Sequence, residues 1–399
     1  MNAARRQQQA LRADQSVAPV GLDAWLLMPA ILLAAFGLVM VGSASIAVAE
    51  SQGVSSFHYL WRHAVFLTMG VALASAFRII PISFLERVCR PMMLLAALCL
   101  LLAFVPGLGY SVNGSNRWIR LGILNFQVVE AAKLMVVIYM AGYLVRKSEL
   151  IQSRFFDTLK PLLLVGILSA ILLLQPDMGS AAIITAVVGG MIWLAGAAWR
   201  HIMALLLLAM PVFTWAAMEP YRLRRIISFT NPWADPYDSG FQLTQALIAV
   251  GRGELFGVGL GASIQKLFYL PEAHTDFIFA VVAEEFGLLG VVLVLGLFML
   301  LVTRIMGVGL MAHRNERPFA GNLAFGVGLW IGLQALVSIG VNLGALPTKG
   351  LTLPLISSGG SSLLMTCLAL GMVLRIRYEL DRDAAGQGHA RPTRAGRRA

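Results

Sequence analysis

Ten long apolar segments alternate with shorter polar stretches along the chain. They lie near 24–44, 57–77, 91–107, 126–145, 161–175, 178–197, 201–218, 277–302, 320–344 and 354–376. A helix needs about 20 apolar residues to cross the hydrocarbon core of a bilayer. The pattern therefore predicts an all-α polytopic membrane protein with about ten transmembrane helices. The fifth segment is short and meets the sixth at "QPDMG", so this pair is either two spans or one re-entrant hairpin.

Composition supports a single membrane domain over 24–376, because 58% of the 399 residues are hydrophobic and only 13% are charged. The net charge of +11 does not indicate nucleic acid, since the basic residues form short clusters between apolar segments. Such clusters are typical of cytoplasmic loops. The three cysteines include no close pair, so the sequence predicts neither a disulfide framework nor a zinc site.

The distribution of Lys and Arg predicts the orientation of the chain. With both termini in the cytoplasm, inner segments hold 21 of these residues and outer segments hold 9. The segments 1–23 and 377–399 are then basic cytoplasmic tails. "AVAE" at 47–50 resembles a signal-peptidase site, but the long polar leader favours an uncleaved first span.

Two outer loops are long enough to suggest function. The first is 108–125, and the second, 219–275, has about 57 residues with many aromatic and aliphatic side chains. Loops of this length are usually functional or disordered, and this composition argues against disorder. We expect short helices on the outer membrane surface between 219 and 275.

Polar residues in or beside the spans are the candidates for chemistry, because burial of charge in a membrane is costly. Glu130 and Lys133 are spaced i,i+3 on one helical face and can neutralise each other, as a structural pair or as part of a site. Gln175 and Asp177 flank a proline where two spans meet. A capping role and a functional role are both open for that pair.

"HTDFIFAVVAEEFG" (274–287) places three carboxylates at the start of the eighth span. Asp276 is predicted in the first turn, exposed at the interface and stabilised by the helix dipole. Glu284 lies roughly 12 Å deeper at about 1.5 Å per residue, and Glu285 points to the opposite face. At least one glutamate must therefore face packed protein or a polar cavity.

"LPTKGLTLPLISSGGSS" (346–362) joins the last two spans through prolines and glycines, and carries Lys349. Irregular backbone at membrane depth is tolerated only against protein or a water-filled cavity. In the long loop, Arg224 and Arg225 suit phosphate or carboxylate groups because guanidinium has a forked donor geometry. The residues alone indicate an outward-facing cationic cavity for a ligand with an anionic head and a lipid tail.

Five ordered motifs resemble the SEDS (shape, elongation, division and sporulation) family, with "PTKG" and the basic leader favouring its division branch. They are "NGSNRWI" (113–119), "QPDMG" (175–179), "GFQLTQALIAVGRGELFGVGLG" (240–261) and the two stretches quoted above. The resemblance implies a peptidoglycan glycosyltransferase that polymerises lipid II at the division septum of the bacterial inner membrane. Its implied partners are undecaprenyl-pyrophosphate-linked glycan, a class B penicillin-binding protein of the FtsI type and other divisome proteins.

The resemblance also assigns roles to residues. Asp276 matches the family's essential aspartate and is the expected general base, and Lys349 matches its loop lysine. The residues predicted to bind substrate are Lys349, Arg224, Arg225, Arg117, Trp118, Gln242, Gln245, Glu130, Lys133, His274, Ser357 and Ser358. No metal site is specified, although a divalent cation could share the charge. Two positions depart from the family pattern, "FQVVE" where "FQPSE" is usual and Ser358 where an aromatic is common.

Two other functions are open at this point. A transporter that flips lipid II would use Glu130, Lys133, Glu284 and Glu285 as a polar path, but few ionisable residues continue that path to the inner face. A non-catalytic scaffold that recruits the transpeptidase would leave the outer polar cluster unexplained.

Overall fold

A computed structural model describes residues 23–112, 115–121, 124–238 and 240–389 of this chain. The predicted tail 1–23 lies outside this part apart from Asp23, and so does 390–399. The helices are α1 (Ala24–Ser51), α2 (His58–Phe77), α3 (Ile82–Val88), α4 (Met92–Leu102), α5 (Val128–Arg146), α6 (Ser148–Ser153), α7 (Phe155–Leu174), α8 (Met178–Leu194), α9 (Trp199–Ala217), α10 (Pro220–Thr230), α11 (Phe241–Gly253), α12 (Ile278–Arg314), α13 (Pro318–Asn342) and α14 (Gly360–His389).

Every predicted apolar segment contains a helix, and the all-α polytopic fold is confirmed. Among the described residues, six helices are long and apolar enough to cross a membrane, namely α1, α2, α5, α7, α12 and α13. The helices α4 and α8 are apolar but shorter. The count of ten spans therefore stays a prediction.

Helix boundaries move where ion pairs extend a helix beyond its apolar part. The fifth segment begins at Phe155 rather than 161, because Asp157 in the added turn pairs with Lys160 at 3.0 Å. The tenth continues to His389 rather than ending near 376, and Arg377 pairs with Asp381 across one turn at 2.9 Å. Pairs at this spacing stabilise a helix outside the apolar environment.

A small antiparallel sheet in the first outer loop was not predicted. Its strands are β1 (Gly109–Val112), β2 (Ser115–Leu121) and β3 (Leu124–Gln127), in the order β1-β2-β3. The strand β3 leads directly into α5, and the Gln127 N–H donates to Ser361 Oγ at 2.9 Å. The unusual "FQVVE" sequence thus still enters the fourth predicted span as a regular helix.

The long outer loop forms the short helices α10 and α11, joined through a 3₁₀ turn at Pro232–Ala234. This confirms that the loop contains short helices, whereas their place on a membrane surface stays a prediction. The helix α11 packs against α12. The central helix α13 packs against α12, α5 and α8, so elements distant in sequence meet around it.

The helix α12 is interrupted at Gly287, whose φ of 63° and ψ of −157° are not helical. Residues 253–259 of the outer loop fill the interruption. The Val258 and Gly259 N–H groups donate to the carbonyls of Glu284 and Glu285, each at 3.0 Å. In return, the Leu288 N–H donates to Glu254 O at 2.9 Å. The outer part of α12 is therefore hydrogen-bonded to the loop as well as to its own helix.

Candidate functional site

Asp276 lies in the turn immediately before α12, two residues earlier than the first helical residue, Ile278. It is half-buried rather than exposed as predicted. A Cβ added to Gly350 would lie only 2.9 Å from Asp276 Oδ2, so the backbone of the linker between α13 and α14 packs against the carboxylate. We call residues 343–359 the 343–359 linker.

The charges around Asp276 oppose one another. Burial raises the pKa of its carboxyl from 3.8 to about 7, and the negative charges of Glu272 and Asp177 add to that effect. Arg117 and Arg225 act in the opposite direction and lower the pKa. The expected stabilisation by the helix dipole is thus outweighed by burial. The result is a carboxyl group that exchanges its proton near neutral pH.

Arg117 connects the sheet to the break between α7 and α8. Its guanidinium donates to Gln175 O at 3.3 Å and to Pro176 O at 2.6 Å, and lies 3.9 Å from Asp177. Asp177 also caps α8, because its carboxylate accepts from the Ser180 N–H at 3.1 Å. The break therefore combines the capping role with a place beside the cationic cluster.

Two further cations lie at the 343–359 linker. Arg225, on α10, donates to Thr348 O at 3.4 Å. The Lys349 Nζ lies 3.4 Å from Met178 Sδ, in the first turn of α8. Four separate segments of the chain thus bring acidic and basic groups together around Asp276: strand β2, the α7–α8 break, α10 and the turn before α12. The linker packs its backbone against the carboxylate and carries Lys349 beside the first turn of α8.

The Glu130–Lys133 pair is buried inside the bundle and supports the linker from below. Lys133 Nζ donates to Glu130 at 2.8 Å and to Gln334 Oε1 at 2.7 Å. Gln334 then donates from Nε2 to Thr352 O at 3.0 Å. Trp330 Nε1 also donates to Gln334 Oε1, at 2.8 Å. These bonds link the ion pair to the backbone of the linker rather than to Asp276 directly.

Both deep glutamates are fully buried and each has a basic partner, so both face packed protein, as was predicted for at least one of them. Glu284 pairs with Arg252 at 3.0 Å and accepts from Ser263 Oγ. Glu285 pairs with Lys266 at 2.6 Å and accepts from Ser43 Oγ at 2.8 Å. These bonds fasten the outer loop to α12 and α1. Their partners make both glutamates structural groups beneath the turn that carries Asp276.

The other predicted residues divide into two groups. His274, Ser357 and Ser358 lie at the contact between the Asp276 turn and the linker, and the Ser358 N–H donates to His274 O at 3.0 Å. Burial lowers the pKa of His274, which favours the neutral form of its ring. The remaining four are Trp118, Arg224, Gln242 and Gln245. They are half-buried or exposed, and none of the described hydrogen bonds joins them to the groups around Asp276.

Sequence reasoning missed two buried amides, Gln334 and Asn342, which lie eight residues apart on α13. Asn342 donates to the backbone carbonyl of Asp276 at 2.9 Å. The available signal was the presence of amide side chains, Asn322 among them, inside a largely apolar segment, where a polar group without partners is expensive.

The described residues include no group of three His, Cys, Asp or Glu side chains placed to hold a metal ion. What they do hold is one carboxyl with a pKa of about 7, flanked by Arg117 and Arg225 and covered by the linker that carries Lys349. Such a set can accept a proton and stabilise an anionic leaving group.

Fold and site together define a multi-pass membrane protein with an acid-and-cation site at one end of its bundle. Residues 23–382 match the FtsW/RodA/SpoVE family model, described as "Cell cycle protein". The chain belongs to this family.

Relatives and solved structures agree with that assignment. A Coxiella burnetii protein named "Probable peptidoglycan glycosyltransferase FtsW" is 49% identical over 90% of this chain and 97% of the relative. A Xanthomonas oryzae protein of the same name is 51% identical over 90% of this chain and 74% of the relative.

Among solved structures, Thermus thermophilus rod shape determining protein RodA is 30% identical, with a TM-score of 0.65 over 90% of this chain and 97% of that one. A chain from the structure titled "Structural coordination of polymerization and crosslinking by a peptidoglycan synthase complex" is 32% identical. Its TM-score is 0.73 over 90% of this chain and 98% of that one.

Proposed function

We propose that this protein is a peptidoglycan glycosyltransferase that polymerises lipid II into β-1,4-linked glycan, with Asp276 as general base. The names of its FtsW relatives support the activity. The observation that carries the assignment of the base is the carboxyl of Asp276, with a pKa of about 7, beside Arg117 and Arg225. A general base works best when its pKa lies near the operating pH.

The proposed reaction is a single displacement at the anomeric carbon of the growing strand. The 4-hydroxyl oxygen of lipid II forms the new bond to that carbon, and the bond to the undecaprenyl pyrophosphate oxygen breaks with its electron pair. Asp276 accepts the proton of the attacking hydroxyl. Inversion at the anomeric carbon then gives a β-1,4 link.

The leaving pyrophosphate gains negative charge, and the cations around the linker are suited to stabilise it. Arg117 and Arg225 present guanidinium groups to the Asp276 region, and Lys349 lies on the linker. Fixed cations in a partly desolvated site stabilise developing charge without reorganising. A divalent cation would supply the same stabilisation.

The flippase alternative has less support from the contacts. The intramembrane acids Glu130, Glu284 and Glu285 each pair with a base at 3.0 Å or less. Groups held this way support packing and offer no continuous polar path between the two faces.

The proposal extends to partner and place. A class B penicillin-binding protein of the FtsI type is the proposed transpeptidase partner, which the likeness to a peptidoglycan synthase complex supports. The proposed location is the division septum of the bacterial inner membrane, with both termini cytoplasmic. Other divisome proteins are further proposed partners.

The test is polymerisation of labelled lipid II in detergent by the chain purified with its transpeptidase partner. We expect Asp276→Asn and Asp276→Ala to lower the rate by about a hundredfold or more, the usual contribution of a general base. Asp238→Asn, an exposed carboxylate in the outer loop, is the control and should polymerise normally.

Wild-type polymerisation by folded Asp276→Asn would remove Asp276 as the base. A wild-type chain that makes no polymer with its partner, yet moves lipid II across vesicles, would replace the enzyme by the flippase.

A further inference from the structure

Three successive backbone carbonyls, those of residues 274–276, each accept a hydrogen bond from one stretch of chain. The Ser358 N–H donates to His274 O at 3.0 Å. Ser357 Oγ donates to Thr275 O at 2.7 Å. Asn342 Nδ2 donates to Asp276 O at 2.9 Å. All three donors come from the end of α13 or the 343–359 linker, so the main chain that carries Asp276 is held from one side.

Asn342 is placed to fix this turn relative to α12. Its Oδ1 accepts from the Ala280 N–H at 2.9 Å, in the first turn of α12. Its Nδ2 donates to Asp276 O and also to Ser338 O, at 2.8 Å. The side chain is fully buried, and these partners allow only one orientation of the amide.

Ser357 performs the equivalent function one residue earlier. Its hydroxyl accepts from the Leu353 N–H at 2.8 Å and donates to Thr275 O. The residue is only 3% exposed, and its one proton is already donated within the protein. The hydroxyl therefore connects the linker to the Asp276 turn and has no proton left to offer a substrate.

We infer that Asn342 and Ser357 are positioning residues for the general base, acting through the backbone carbonyls of Asp276 and Thr275. The inference rests on the proposed function of Asp276. A base must stand within hydrogen-bond reach of the proton that it accepts. A displacement of about 1 Å can lower the rate about a hundredfold, even when the altered residue is distant from the reacting atoms.

The test is steady-state polymerisation of lipid II by the purified complex with altered Asn342. Asn342→Leu removes the amide donors, and Asn342→Asp keeps the size but replaces the donor with an acceptor. We expect kcat to fall roughly 10- to 100-fold, with KM within about twofold of wild type, because Asn342 does not touch the substrate.

Ser338→Ala is the matched control on the same helix. It removes a buried hydroxyl that has no hydrogen-bond partner among the described residues, and wild-type kcat is expected.

A second pair of variants keeps the inference testable if Asn342→Leu does not fold. Ser357→Ala removes the donor to Thr275 O, whereas Ser357→Thr retains a hydroxyl. We expect kcat to fall roughly tenfold in the first variant and to recover to within about threefold of wild type in the second. Equal kcat values in both variants would overturn the role of Ser357.

Combination with Asp276→Asn separates positioning from general damage. If Asn342 acts through the base, Asn342→Leu should leave the residual rate of Asp276→Asn nearly unchanged. The same 10- to 100-fold fall in both backgrounds, or wild-type kcat in folded Asn342 variants, would overturn the inference alone. An active Asp276→Asn variant would overturn the proposed base and, with it, the positioning roles.

Discussion

Asp276 carries its carboxylate in a turn where burial, Glu272 and Asp177 all disfavour the ionised form. The base must be ionised to accept a proton, so the reaction requires a pH near or above its pKa of about 7. We expect kcat/KM to rise about tenfold per pH unit below 7 and to level off above it. Polymerisation of lipid II between pH 5.5 and 8.5 measures this directly.

A change at Glu272 tests whether the pH dependence of kcat/KM follows the pKa of Asp276. Its negative charge raises the pKa of Asp276, so Glu272→Gln should move the rising limb to lower pH. Asp238→Asn, which changes an exposed charge elsewhere in the outer loop, should leave the limb in place. A rate independent of pH across this range, or a shift to higher pH in Glu272→Gln, would contradict the assignment.

The same pKa predicts how the inactive variant behaves as a protein. The folded state holds the Asp276 proton up to about pH 7, whereas the ordinary pKa is 3.8. This group's contribution to the free energy of unfolding is therefore complete below about pH 4 and declines as the pH rises through 7. Asp276→Asn should unfold at a temperature no lower than wild type at pH 8, which makes it a folded control.

At this scale the sequence identified the groups that carry charge but not those that orient them. Asp276, Arg117 and Lys349 lie in motifs, Arg225 lies in a basic cluster of the long loop, and their polarity is evident in an apolar chain. Asn342 is also a polar residue in an apolar segment, but its polarity does not reveal its role, because that role depends on a carbonyl 66 residues away in sequence. Local sequence patterns do not show a contact between a side chain and a distant backbone carbonyl.

At the scale of the element, the interruption of α12 joins the outer loop to the helix that follows the Asp276 turn. Gly287 has a φ of 63° and a ψ of −157°, a region that only glycine adopts without strain. A Cβ there would also lie 2.4 Å from Gly257 N. The interruption thus requires glycine at 287 for two reasons: the backbone conformation there strains any other residue, and there is no room for a Cβ atom.

We predict that Gly287→Ala lowers the free energy of unfolding by about 1–3 kcal/mol, the usual cost of one strained backbone position. It should also reduce polymerisation, because the loop can no longer fill the interruption. Thermal unfolding in detergent and the lipid II assay measure the two effects.

Gly296→Ala is the control, since it changes a glycine of the same helix with open space around it. We expect this change to be neutral or mildly stabilising, because alanine is the better helix former. Equal stability of the two variants would mean that the interruption at residue 287 does not require glycine.

The sequence predicted those elements that hydrophobicity determines. It did not predict the elements that depend on backbone hydrogen bonds to another segment. All ten apolar segments contain helices, because a helix satisfies its own backbone groups in an apolar environment. The interruption at Gly287 and the sheet at 109–127 were missed. Both depend on hydrogen bonds between segments, which a pattern of apolar residues does not record.

At the scale of the whole molecule, buried acids occur at both ends of the bundle and each has a basic partner. At one end Glu284 and Glu285 pair with Arg252 and Lys266. At the other end Arg304 donates to Asp23 at 2.8 Å and 3.1 Å, which joins α12 to the residue that caps α1. Pairing of this kind lets the bundle hold charge without exposing it to lipid.

The orientation of the molecule in the membrane is a prediction that cysteine labelling can check. Tyr237 is 91% exposed in the outer loop, so Tyr237→Cys should react with a membrane-impermeant maleimide on intact spheroplasts. Glu149→Cys, exposed on α6, should react only after the membrane is opened. Both variants are best made in a Cys99→Ser background, because Cys99 is the native cysteine that is not buried. The reverse labelling pattern would invert the topology.

The attachment of the Asp276 turn through carbonyl oxygens has a consequence for how freely this region can change in evolution. Carbonyls are common to every amino acid, so the three bonds place no demand on the side chains at 274 and 275. At 358 the bond requires only an N–H group, which proline alone lacks. This explains how the turn keeps its contact at Ser358, where the family resemblance leads us to expect an aromatic residue. The side chains at 274, 275 and 358 can therefore change without moving the carboxylate of Asp276.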